Sequence, residues 1–226
     1  MFQKNELLYE NPLSKPEDIE SFRLEGDACI TFPRGIMRLE QAYERDLDKG
    51  LHANFVLWCE QDFSDNICIT YNFRPLTDAG LAMVWVSARG RDGQDLFSSE
   101  LSPRAGDYSE YHHGDINALH ASYYRRNPSE TGFRTCNLRK SYGFDLVCQG
   151  GDPLPDARYV EKPFRICVVK AGADFVFSIN DVVLFHWVDD GQQYGPILDG
   201  GKIGFRQMAG LIGEYSNLQV HLVRAT

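Results

Sequence analysis

Apolar and polar residues alternate with a period of two along most of the chain, and no segment carries a long helical period. In NICITYNFR the pattern buries Ile67, Ile69, Tyr71 and Phe73 and shows Cys68, Thr70, Asn72 and Arg74. In GLAMVWVSA it turns Ala82, Val84 and Val86 inward and Met83, Trp85 and Ser87 outward. LHANFVLWCE separates Ala53, Phe55 and Leu57 from Asn54, Val56 and Trp58 in the same way. Further short strands are predicted in the 19–43, 144–150, 163–172, 173–187 and 187–223 stretches, with Asn180-Asp181 as a tight turn. Closely spaced strands without intervening helices predict one antiparallel β-sandwich domain over residues 1–226.

Two stretches depart from plain strand patterning. Arg89 to His113 is a long polar segment rich in Gly, Asp, Ser and Tyr. It exceeds the ~12–15 residues of an ordinary structureless connection, so a functional rim or lid is expected, or else an inert excursion. The second stretch, Gly114 to Lys140, gathers Arg125, Arg126, Arg134, Arg139 and Lys140 against Asp115 and Glu130. Read as two strands, it puts His120, Ser122, Tyr124 and Arg126 on one face with Thr135, Asn137 and Arg139. Leu119, Ala121, Cys136 and Leu138 fall on the other face. A binding surface and a solvated sheet face with ordinary arginines both fit this pattern. A one-residue slip in register exchanges Tyr124 for Tyr123.

Charge narrows the partners. The 226 residues carry 23 Lys and Arg against 32 Asp and Glu, a net charge of −9. That argues against nucleic acid and anionic membranes, which are bound through excess positive charge. Arg outnumbers Lys by 16 to 7, a bias that suits two-pronged contact with carboxylates. No apolar run approaches the ~18 residues of a membrane span, and the N-terminus lacks a secretory pattern. The six cysteines are scattered among apolar residues and read as reduced core thiols. A cytoplasmic location follows as the expectation; oligomeric state is not legible.

The closing segments FVFSINDVVLFHWVDDG, YGPILDGGKIGFRQM and EYSNLQV resemble the final strands of concanavalin A-like lectin/glucanase jelly rolls. FVLWC, FRPLTDAGLAM, GDINALHASYYRR and CNLRKSYGF are similar, more narrowly, to the YesU-like proteins, a bacterial family of that superfold without an assigned activity. The resemblance implies two curved sheets with a saccharide bound on the concave side. Combined with the alternation, it makes Trp58, Asn72, Arg74, Trp85, His120, Tyr124, Asn137, Arg139 and Arg206 the expected lining, with His113 and Asp115 at its edge. Trp58 and Trp85 would stack on sugar rings.

Glycosidases of this superfold share a strand motif of alternating carboxylates, and retaining hydrolysis needs two carboxyl groups ~5–5.5 Å apart. Glu44-Arg45-Asp46-Leu47-Asp48 is the nearest match, but it lacks the last Glu and runs into a Lys-Gly turn. The central cluster suits β-elimination on a uronate instead. Arg139 or Arg74, with Asn137, would neutralise the substrate carboxylate, while His120 and Tyr124 would move protons. The expected ligand is thus an acidic oligosaccharide and the expected activity a lyase. A non-catalytic lectin and a hydrolase using Asp115 or Glu110 are the alternatives. No cofactor motif is present. His112-His113 with Asp115 is too small a set for a metal site, and Asp189-Asp190-Gly191 is either a structural calcium loop or a plain turn.

Overall fold

The computed structural model describes residues 2–42, 54–126 and 134–225. Within them, two antiparallel sheets face each other across a common apolar core. One sheet runs β13 (Val182–Val188), β12 (Asp174–Ile179), β11 (Phe164–Ala171), β6 (Ile67–Pro75), β15 (Gly213–Ala225), β4 (Met37–Gln41) and β3 (Ala28–Thr31), with β1 (Phe2–Asn11) also paired to β15. The other runs β10 (Asp145–Gly151), β9 (Thr135–Ser141), β8 (Ile116–Arg126), β7 (Gly80–Gly90), β14 (Lys202–Met208), β5 (Phe55–Cys59) and β2 (Phe22–Gly26). The expected antiparallel sandwich is the observed architecture.

The alternation explains the core. Ile67, Ile69, Tyr71 and Phe73 of β6 meet Ala82, Val84 and Val86 of β7 and Leu119 and Ala121 of β8 between the sheets. Tyr71 and Tyr123 share a hydrogen bond of 2.8 Å across that core, so two buried hydroxyls satisfy each other. Asn180 and Asp181 both take positive φ (48° and 65°) in the turn joining β12 to β13, as the Asn-Asp signal predicts.

Sequence reading fails locally at β8. Ala82 pairs with Tyr123 and Gly80 with Arg126, which leaves two β8 residues opposite one in β7. The extra residue makes a β-bulge, where Tyr124 adopts φ 50°. Past that point the face of each side chain reverses. Tyr124 therefore joins the core with Tyr123 rather than the polar face with His120.

The cysteines form no disulfide among the described residues. Cys59, Cys68 and Cys136 are buried, whereas Cys29 is exposed at the sheet edge and is not a core thiol.

Candidate functional site on the outer face of the seven-stranded sheet

Cross-strand pairing lays the predicted residues out in two rows across this sheet. One row reads Arg23, Trp58, Gly204, Trp85, His120, Arg139 and Leu146 from β2 to β10. The next reads Glu25, Val56, Arg206, Met83, Ser122, Asn137 and Gln149. Six residues chosen from sequence thus share one surface: Trp58, Trp85, His120, Asn137, Arg139 and Arg206. Gly204 lets the Trp58 indole lie flat on the sheet, since a Cβ there would come 2.5 Å from the ring.

The segment between β7 and β8 covers about half of this surface. Leu96, Tyr111 and the flanking Phe97, Leu101 and Tyr108 pack on Val56, Trp58, Met83 and Trp85. Of the expected rim or lid, the segment forms a cover, and Trp58 and Trp85 are fully buried beneath it rather than presented to solvent. Glu25 ties the cover down. Its carboxylate accepts from Arg104 Nη2 (2.7 Å) and Nε (3.1 Å), Trp58 Nε1 (2.8 Å) and the Tyr111 hydroxyl (3.0 Å). Gly106, at φ 100°, lies so close to the Asn54 carbonyl that only glycine fits. Its own carbonyl accepts from Arg206 Nη2 at 2.9 Å.

Near the cover's end Tyr108 meets His120. The Tyr108 hydroxyl lies 2.7 Å from His120 Nε2, and the Trp85 ring backs the imidazole at 4.2 Å. Burial pushes the Tyr108 phenol up to about 12, against the opposing pull of Arg206 and Arg139. Burial holds His120 well below its ordinary pKa, helped by Arg139, Arg206 and His112. Both groups are thus neutral at neutral pH, and a single hydrogen bond joins them. The phenol beside His120 is therefore Tyr108, where strand alternation predicts Tyr124. Strand alternation could not find it, because it comes from the cover.

Beyond the cover the face is open. Arg139 stacks its guanidinium 3.7 Å over the Phe144 ring and donates to the Phe144 carbonyl at 2.6 Å. Gln149 Nε2 donates to Asn137 Oδ1 at 2.8 Å. Phe144 is 40% exposed and Leu146 43%. The exposed aromatic surface next to this polar row is thus Phe144 and not the tryptophans.

The rest of the basic stretch is dispersed. Lys140 is buried against Asp189 (2.6 Å) and the Gly195 and Pro196 carbonyls, and Arg126 against Asp152 (2.7 Å). Arg134 pairs with Asp156. Neither Arg139 nor Arg206 has a carboxylate within ion-pair distance among the described residues. Asn72 and Arg74 must be removed from the site: β6 belongs to the other sheet, and both point away from the core on the far side of the molecule. Arg74 there joins Arg38 around Glu214.

His113 follows α1 (Ser109–His112), so the two histidines are not strand neighbours facing apart; their Nδ1 atoms are in contact. Asp115 holds the Ser102 amide at 2.6 Å, and Glu110 the Ala105 amide at 2.8 Å. Asp189 and Asp190 cap the amides of Gly191, Gln192 and Gln193, as in a turn. No group of three His, Cys, Asp or Glu side chains suited to a metal occurs among the described residues. The Glu44–Asp48 stretch lies outside them. No described helix is long and apolar enough to cross a membrane.

A family model described as "Domain of unknown function (DUF1961)" matches residues 6–220. The chain is 43% identical over 222 residues to the uncharacterized protein YesU of Bacillus subtilis (strain 168), covering 98% of each. A crystal structure of a protein of unknown function with galectin-like fold from Bacillus subtilis superimposes with TM-score 0.95 at 42% identity, covering all of both chains. The carbohydrate recognition domain of Emp47p is similar in fold alone, with TM-score 0.59 at 15% identity over 96% of this chain and 97% of that one.

Proposed function

Taking as premise that the chain belongs to the DUF1961 family, whose galectin-like fold it shares, we propose that it binds an acidic oligosaccharide on the open half of the sheet and cleaves it by β-elimination. One observation carries the reading. A neutral Tyr108–His120 pair stands beside Arg139, a half-exposed guanidinium without a carboxylate of its own among the described residues. Arg139 neutralises the uronate carboxylate and so acidifies the neighbouring C5–H bond. Tyr108 accepts that proton as its own passes to His120 Nε2. The C4–O bond breaks as the C4–C5 double bond forms, and the proton returns through Tyr108 to the departing oxygen. Atoms and charge balance without a cofactor.

Tyr108 and Arg139 are the residues that would touch the reacting uronate. His120, fully buried, acts through Tyr108. Arg206, 4.8 Å from the Tyr108 ring centroid, stabilises negative charge on the phenol as it develops.

The test is ultraviolet absorbance of the conjugated double bond during incubation with uronate-containing oligosaccharides. Tyr108→Phe should lower turnover by ~10²–10⁴ and Arg139→Ala by ~10²–10³, both with partial retention of sugar affinity. Arg139→Lys should rescue little, because an ammonium cannot form the two-pronged contact. Wild-type turnover in either the Phe or the Ala variant would overturn the assignment.

A second reading, carbohydrate binding without chemistry, is favoured by the complete burial of Trp85 and His120. Saccharide binding with no double-bond formation on any uronate would establish it. Hydrolysis has less support, because Asp115 and Glu110 are both engaged with backbone amides.

A further inference from the structure

The cover buries polar atoms that it does not satisfy. Trp85 Nε1, His120 Nδ1, Arg206 Nε and Arg206 Nη1 are all inaccessible, and none has a hydrogen-bond partner. They sit on adjacent rows of one sheet face, under one segment. The Tyr108 hydroxyl and His120 Nε2 share one hydrogen bond, and in the tautomer where the hydroxyl donates the imidazole proton lies on Nδ1. Trp85 Nε1 and the two Arg206 nitrogens are donors, the latter two on a cation, and His120 Nδ1 joins them in that tautomer. Arg206 lies 4.8 Å from the centroids of both the Tyr108 and Tyr111 rings, and its one hydrogen bond among the described residues goes to a backbone carbonyl. A buried guanidinium normally has a carboxylate against it, as Arg104 has Glu25 and Arg126 has Asp152. Arg206 has none.

We propose that the underside of the cover is an oxyanion site in which Arg206, with the indole N–H of Trp85 and the Nδ1–H of His120, receives a carboxylate, sulfate or phosphate group. The donors supply what such a group needs, and the group supplies the missing negative charge. Tyr108 forms the boundary with the open half, packing edge-on against Phe144 at 5.3 Å, so the oxyanion enters on that side. This deepens the acidic-saccharide reading by naming a second recognition point for charge, distinct from Arg139.

The test is thermal unfolding of the full chain at neutral pH and fixed ionic strength, with chloride exchanged for sulfate, phosphate or glucuronate and with glucose as the neutral control. A site predicts a saturable rise in Tm of about 3–5 °C at ten times the Kd, absent with glucose. Arg206→Met should abolish the rise. Trp85→Phe, which keeps the ring and loses the N–H, should raise the Kd at least several-fold. A rise with glucuronate alone identifies a sugar-borne carboxylate, and a rise with sulfate or phosphate alone identifies a free oxyanion.

An unsaturable rise in the wild type, or no rise, overturns the site whether or not Arg206→Met folds. So does a rise unchanged in both variants. Failure here leaves elimination at Arg139 standing. An anion effect that depends on Arg206, without any double-bond formation, leaves the site standing and removes the lyase.

Discussion

The outer face of the seven-stranded sheet is two surfaces made by one alternation. Over β2, β5, β14 and β7 the outward residues Trp58, Trp85 and Met83 lie under the 91–113 segment and form an apolar layer of their own. Over β9 and β10 the outward residues Asn137, Arg139, Leu146 and Gln149 stay at least partly exposed. The rows run continuously from one half to the other. Residue type and strand register are therefore not what separates a core from a binding surface here. An intervening loop does, and Glu25 and Arg206 hold it in place.

The sharpest way to break the contrast is to release the cover. Glu25→Ala leaves Arg104 buried and unpaired, which should cost about 3–5 kcal/mol by urea denaturation. It should also expose the 91–113 segment to protease. A loss below about 1 kcal/mol with unchanged cleavage would mean that the cover is held elsewhere. Next in size is Gly204→Ala. The added Cβ collides with a Trp58 ring that Trp85 and Tyr111 already wedge at 6.0 Å and 6.4 Å, so about 1–3 kcal/mol should be lost. An unchanged midpoint would show that the layer under the cover is loosely packed.

Acid probes the same layer more gently. His120 is held below its ordinary pKa, so the unfolded chain takes up protons that the folded chain refuses. Stability is then complete above the unfolded value of about 6.5 and falls as pH drops through it. The slope from this residue is at most about 1.4 kcal/mol per pH unit, and it levels off below the depressed folded value. His112 and His221 act in the same direction, so His120→Gln should reduce the slope of urea midpoints between about pH 7 and 5 without removing it. An unaltered slope would place the burial penalty on the other histidines. The smallest effect belongs to the open half. Phe144→Ala should change stability by less than about 1 kcal/mol and weaken saccharide binding by less than tenfold, because Phe144 is 40% exposed and loses only its surface contacts with Arg139, Tyr108 and His112.

The sandwich and most of the outward set were legible because a period of two survives wherever pairing is regular. Trp58, Trp85, His120 and Arg139 fall in one row for that reason. Tyr124 was misread because a bulge inserts a residue without any change in residue types, and nothing in SYYRR announces φ 50° at the second tyrosine. Asn72 and Arg74 were misplaced for a different reason: alternation tells which side of its own strand a residue takes, not which sheet the strand joins. Tyr108 was invisible because no periodicity links a loop to the strand beneath it.

Both sheets are completed by late strands. β15 lies between β6 on one side and β4 and β1 on the other, and β14 lies between β7 and β5. During synthesis, β6 with β11 to β13 and β3 with β4 have no strand between them until residues 213–225 emerge. The seven-stranded sheet waits likewise for residues 202–208. Until then each half-sheet presents an unpaired edge of the kind that pairs with other chains. Synthesis of this protein therefore includes an interval, ended only by its last two strands, in which a chaperone has open edges to shield and truncation leaves fragments prone to aggregate.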